Sequence, residues 1–169
     1  MKITRKWAMP NSRTFLIKPI REFVEENIKN KKVIIDPFAN ANKYGTITND
    51  LNPDFDTDFH LDALTFLKKQ DSESADVVLY DPPYSVSQAA ECYHSFGKER
   101  LEINVANQKY WSECKRQVSR VLKKGGIVLA FGWNSNGIGK VNGCKLCEIM
   151  LVSHGGGHYD TICTKEIKI

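Results

Sequence analysis

Three apolar runs constrain this chain more than any other feature: residues 33–35, 77–80 and 127–131. None alternates apolar with polar residues, so neither face of these segments suits water. Strands buried on both faces belong in a parallel sheet with helices packed on either side. The intervening segments agree. Residues 19–32, "PIREFVEENIKNKK", open with a proline suited to a first helical turn, and Ile20, Phe23, Val24 and Ile28 recur at helical spacing. Residues 62–69 read as a short helix and 45–50, "GTITND", as a second strand. Residues 107–124 read as a helix with a stripe of Trp111, Cys114, Val118 and Val121/Leu122; Lys123 and Lys124 suit its C-terminal dipole and Gly125-Gly126 stops it. Residues 135–143 form a short helix or a turn. The two β-rich segments flanking Gly155-Gly156-Gly157 predict a terminal antiparallel hairpin. The expected fold is α/β: a mostly parallel sheet with helices on both faces and a C-terminal antiparallel hairpin, in one domain over residues 1–169.

In such a sheet, ligands bind beyond the C-terminal ends of the strands. Three predicted strands end in acids, Asp36, Asp50 and Asp81, and Asp62 follows a further short strand at 58–61. Acids also cap helices at such places, so the four matter as a set lining one rim. Charge along the chain fits a cationic ligand there. Residues 1–32 hold nine Lys/Arg against three acids (+6), residues 33–85 three against ten (−7), and residues 86–169 twelve against seven (+5), which gives the net +4. An acidic middle suits a small cation, and basic flanks suit a polyanion.

The corner Asp81-Pro82-Pro83-Tyr84 carries the chemistry. A residue before proline is pushed to extended backbone, and the prolines themselves offer no N–H. What remains is a stiff set of acceptors, the Asp81 carboxylate and the carbonyls of Asp81 and Pro82, beside the flat face of Tyr84. Such a set fits a planar molecule bearing an –NH2 group. Acceptors on both N–H bonds would favour electron density on the nitrogen and stabilise the positive charge that grows there during attack.

The chain resembles the amino-methyltransferases that use S-adenosylmethionine, especially the adenine-N6 DNA methyltransferases, whose signature of Asp, Asn or Ser, then Pro-Pro, then an aromatic is matched in full by Asp81-Pro82-Pro83-Tyr84. The resemblance covers most of the chain. Lys18-Pro19 looks like the family's methionine-side segment, and Asp36-Pro37-Phe38 like the start of its cofactor loop. Asp50, with Leu51 after it, looks like the ribose-binding acid, and Asp62-Ala63 like the segment that meets the cofactor adenine. Residues 120–131 are similar to the helix–glycine–strand run of class I methyltransferases. The resemblance implies S-adenosylmethionine as cofactor, DNA as the foremost substrate, Asp81 and Pro82 as acceptors for the target amine, and Tyr84 as the ring that stacks on a flipped base.

Two departures stand out. The family shows Phe-x-Gly-x-Gly in its cofactor loop, whereas this chain has Asn40 and Asn42 at the glycine positions. Asparagine is the next most tolerant residue for left-handed backbone, and the amides of Asn40 and Asn42 could bond the cofactor directly, so a loop that binds it in altered form is expected. Second, no target-recognition domain is expected within these residues, since the 45 positions from Asp36 to Asp81 and most of the 85 after Tyr84 are needed for the fold. Contact with nucleic acid falls to residues 85–107, with Tyr93, Phe96, Lys98 and Arg100, and to the N-terminal Lys2, Arg5, Lys6 and Arg13 around Trp7. The 85–107 segment also reads as a lid. A homodimer or a partner protein could supply target recognition. Alternatives within methyl transfer are cytosine N4, RNA adenine or a protein amide. An alternative class is a non-catalytic module that binds nucleic acid or a partner chain.

Other features narrow the field. Cys144-x2-Cys147 with His154-x3-His158 has too short a spacer for a zinc finger, so no metal is expected. Residues 153–160 read as a hairpin turn bordering the substrate site. Five cysteines, an odd number, predict reduced thiols and a cytoplasmic setting. No run approaches the ~20 apolar residues of a membrane span, and the basic N-terminus lacks the apolar stretch of a secretion signal.

Overall fold

The computed structural model describes residues 1–95, 97 and 107–169. Among them, seven strands form one sheet: β1 (Lys2–Trp7), β2 (Ile34–Asp36), β3 (Ile47–Thr48), β4 (Ala75–Tyr80), β5 (Leu122–Gly132), β6 (Cys144–Ser153) and β7 (Thr161–Lys168). Their order across the sheet is β1-β6-β7-β5-β4-β2-β3. β2 pairs in parallel with β3 and β4, and β4 with β5. β7 lies antiparallel between β5 and β6, as the expected hairpin requires. The strand expected at 58–61 is reduced to a single parallel bridge between Asn49 and Phe59.

The described residues also form four helices, α1 (Lys18–Ile28), α2 (Ala63–Lys69), α3 (Val86–Ser95) and α4 (Gln108–Val121); α1, α2 and α4 cover the sheet, while α3 packs through Ala89 and Tyr93 against Leu51 and Trp111. β4 shows why the apolar runs are unbroken. Val77 and Leu79 pack with Ile20, Phe23 and Val24 of α1 on one face. Val78 and Tyr80 pack with Phe66 and Leu67 of α2 and Cys114, Val118 and Val121 of α4 on the other. Successive side chains point to opposite faces, so a strand sandwiched between helices is apolar at every position. No helix among the described residues is long and apolar enough to cross a membrane.

Three segments depart from the sequence reading or add to it. α4 ends at Val121 rather than at the glycines, because Leu122 is already extended (φ −67°, ψ 135°) and pairs with Ala75 as the first residue of β5. Lys123 therefore serves no helix dipole. It reaches across to Asp76 Oδ1 at 2.6 Å, and Gly125 (φ 78°) lies in an irregular stretch before Ile127 rejoins the ladder opposite Val77. Second, the N-terminal segment, read as a nucleic-acid contact with no element assigned to it, forms over its residues 2–7 the edge strand β1, paired in parallel with β6. Lys2 bonds Glu148 at 2.7 Å and Arg5 donates to Ser153 Oγ, while Trp7 stays exposed. Third, residues 86–95 are helical rather than loop. Ser85 Oγ accepts from Gln88 N, and Gln88 Oε1 accepts from Tyr84 N. This reciprocal start of the capping-box kind is legible as Ser-x-x-Gln. Tyr93 of that helix is buried; Phe96, Lys98 and Arg100 lie outside the described residues.

Candidate active site

Chain direction reverses across the sheet at β2 and β4: from β2 the chain moves outward to β3, then returns to lay β4 on the other side of β2. A crevice must open at the C-terminal ends of these two strands. It does, as a cavity of 970 Å³. Its lining includes residues 37–42, Asp50 and Leu51, Asp62 and Ala63, and the whole corner from Asp81 to Tyr84. Four carboxylates line it, Asp50, Asp62, Asp81 and Glu91, against the cations Arg13 and Lys43. Lys43 is held by Asp56 at 2.7 Å.

Of the cofactor and catalytic residues singled out in sequence, three do not line the cavity. Lys18 and Pro19 open α1 outside it, and the wall there is formed by residues 10–17. Asp36 is fully buried beneath the 37–42 loop. It accepts from Phe38 N and from Asn42 Nδ2, each at 3.1 Å. Burial pushes its carboxyl up to about 7, against the pull of those two bonds.

The loop itself answers the question raised by its asparagines. Asn40 takes left-handed backbone (φ 50°), the conformation for which glycine is usually chosen. Its Oδ1 folds back to accept from Ala41 N, and its own N–H donates to Asp50 Oδ2 at 2.8 Å. Asn42 keeps ordinary backbone, and its side chain ties Asp36, the carbonyl of Ala39 and the N–H of Tyr44 together. Both asparagine side chains thus bond within the loop. Asp50 accepts from Asn40 N and Asn52 N, and burial raises its pKa. Each carboxylate oxygen has more than one acceptor site, so Asp50 retains capacity for a ligand. Asp62 caps α2 through Thr65 N and accepts from Tyr110 Oη at 2.6 Å.

The corner leaves β4 with Asp81 at its first residue. The Tyr84 hydroxyl donates to Asp81 Oδ1 at 2.7 Å and lies 3.4 Å from Thr14 Oγ1. Burial raises the Asp81 carboxyl to about 6, while bonds from Tyr84 and Thr14 pull it the other way. Tyr84 is itself half-buried, packed against the cluster of Phe15, Leu79 and Phe131. Its ring stands edge-to-face with Trp133, which follows directly on β5. Trp133 in turn lies against Tyr159 of the β6–β7 turn, with ring centroids 4.6 Å apart and planes tilted by 39°.

Sequence reasoning missed Thr14 and Trp133 as residues of this site, whereas Tyr159 falls in the 153–160 turn expected to border it. Trp133 was open to the same rule that found the acids, since it closes an apolar strand run at its C-terminal end. Thr14 gives no such signal, because only the folded chain brings it to Tyr84. The Cys/His cluster has other uses. Cys144 is buried, and His154 bonds the carbonyl of Ala8 and the Thr161 hydroxyl, which pins the chain after β1 to the hairpin.

No protein-family model and no curated protein matches the chain. Among solved structures, it is similar to TrmN from Thermus thermophilus (TM-score 0.61, 14% identity), covering 93% of this chain and 50% of that one. It is also similar to the 1,6-didemethyltoxoflavin-N1-methyltransferase of Burkholderia thailandensis with bound S-adenosylhomocysteine (TM-score 0.60, 8% identity; 89% of this chain and 77% of that one). The fold is that of the class I methyltransferases. This chain spans half the length of TrmN. The [4+2]-cyclase SpnF has a similar fold (TM-score 0.56, 12% identity; 89% of this chain and 80% of that one), so the reaction has to be argued from the site.

Proposed function

We propose that this chain is an S-adenosylmethionine-dependent methyltransferase acting on the exocyclic N6 amine of adenine in DNA. The observation that carries the reading is the Asp81-Pro82-Pro83-Tyr84 corner at the end of β4, in one cavity with Asp50, Asp62 and the 37–42 loop. The residues present fit the cofactor. The cavity is acid-lined, suiting a sulfonium cation. The loop asparagines close on their own loop, and Asp50 stands at the rim with acceptor capacity for ribose hydroxyls. Bound S-adenosylmethionine would supply an electrophilic methyl group and leave as a neutral thioether.

The chain's own residues do the rest. Asp81 and the Pro82 carbonyl accept the amine N–H bonds and hold the nitrogen lone pair in place. The prolines keep these acceptors from turning away as charge develops. Asp81, with its carboxyl raised to about 6, is a better proton acceptor than an ordinary aspartate and takes the proton the amine sheds. A second copy of the chain or a partner protein supplies target recognition.

The test is incubation with S-adenosylmethionine and unmethylated DNA or RNA, followed by nucleoside mass spectrometry. N6-methylated deoxyadenosine is the expected product. Methylcytosine or methylated RNA would reassign the substrate. No product, together with no S-adenosylmethionine binding at millimolar concentration, would leave a non-catalytic binding module.

A further inference from the structure

The corner tyrosine is placed as a clamp. Its hydroxyl is committed to Asp81 Oδ1 at 2.7 Å and lies beside Thr14, and its half-buried ring packs against the Phe15 cluster. Any movement of that ring away from Asp81 would break the bond that fixes the acceptor carboxylate. Two other rings in the same cavity carry no such duty. Trp133 is 37% exposed and Tyr159 73% exposed, and both line the cavity beside the corner. Their centroids lie 4.6 Å apart with planes inclined by 39°, so the two rings overlap, and Trp133 meets the corner at the ring of Tyr84. Large exposed rings cost free energy unless something covers them. A flat π-surface is what an unstacked base meets in nucleic-acid sites.

We infer that Trp133 and Tyr159 form the platform on which the target base stacks, and that Tyr84 is a positioning residue that acts through Asp81. The inference rests on the adenine-methyltransferase reading and divides its labour. Asp81 receives the amine, Tyr84 and Thr14 orient Asp81, and the two rings take the base from the side of β5 and the hairpin turn.

The test compares Tyr84→Phe with Trp133→Leu and Tyr159→Leu. Each is read by kcat and KM on DNA, by the pH profile, and by quenching of a single 2-aminopurine in an oligothymidylate. Circular dichroism confirms the fold of each variant. Tyr84→Phe is expected to lower kcat about tenfold with KM and quenching unchanged. It should also move the acidic limb of the pH–rate profile upward, because a hydrogen bond that favours ionised Asp81 is lost. Trp133→Leu is expected to raise KM about tenfold or more and to reduce the quenching, with the pH limb in place. Tyr159→Leu does the same to a smaller degree. The inference is overturned if Tyr84→Phe raises KM and abolishes quenching, or if the Trp133 and Tyr159 variants leave both untouched. Quenching needs no turnover, so it reads the platform even if the wild type methylates no nucleic acid, an outcome that would sink the adenine reading instead.

Discussion

The two halves of the cavity hold their acids in opposite ways. On the β2–β3 side, Asp36, Asp50 and Asp62 bond mostly to backbone amides and to side chains that stiffen the wall: Phe38 N and Asn42 for Asp36, Asn40 N and Asn52 N for Asp50, Thr65 N and Tyr110 for Asp62. On the β4–β5 side, Asp81 is held by hydroxyls in a frame of two prolines. Amide-bonded acids shape a pocket, and their removal loosens it. A hydroxyl-bonded acid in a rigid corner keeps its position while remaining able to exchange a proton. On the proposed function the first half would bind the cofactor and the second would meet the amine, though both use one device, an acid at or just after a strand end.

Substitutions should separate the halves. The largest effect is expected for Asp81→Ala, which should abolish methyl transfer while S-adenosylmethionine affinity, measured by calorimetry, stays within a few fold. Near-normal turnover would erase the distinction drawn between the halves. A smaller effect concerns pH. The Asp36 carboxyl sits near 7 when folded and near 3.8 when unfolded, so between those values the native state holds a proton that the unfolded chain has released. Stability therefore falls as pH rises from about 4 to 7 and stays reduced above. Asp81, raised to about 6, adds a slope of the same sign over pH 4 to 6. Thermal denaturation across this range should show the decline in the wild type and a shallower one in Asp36→Asn; an equal slope in both would mean that Asp36 does not titrate as a buried acid. The smallest effect is expected for Asn40→Gly. Glycine relieves the left-handed backbone, worth about 1 kcal/mol, but loses the bond to Ala41 N and adds unfolded-state entropy. Stability should change by less than about 1 kcal/mol, with cofactor affinity preserved. A collapse of affinity would show that the Asn40 side chain reaches the ligand after all.

The legible parts of the fold were those fixed by local pattern. The continuous apolar runs announced strands covered on both faces, and β4 and β5 bear this out with side chains alternating between two helical layers. The glycine-rich turn announced the hairpin. What misled was local chemistry overruled by partners distant in sequence. Lys123 looked like a helix terminus but is drawn into β5 by Asp76 and by the pairing of Leu122 with Ala75. The basic N-terminal segment, read only for its charge, supplies backbone groups to the open edge of β6. The start of α3 was written in the chain as Ser85-x-x-Gln88, a signal outweighed by the polar look of the segment.

The site divides the same way. A rigid acceptor corner at the end of a buried strand, with acids at the ends of neighbouring segments, is legible in the chain alone, because proline geometry and strand burial are local properties. The partners of each acid are set by the fold. Which of them faces the cavity and which lies beneath its floor depends on where Asn42, Tyr110 and Thr14 arrive from elsewhere in the chain. The aromatic surface beside Asp81 was settled there too, since Tyr84, Trp133 and Tyr159 come from three separate segments and meet only when the hairpin closes beside β5.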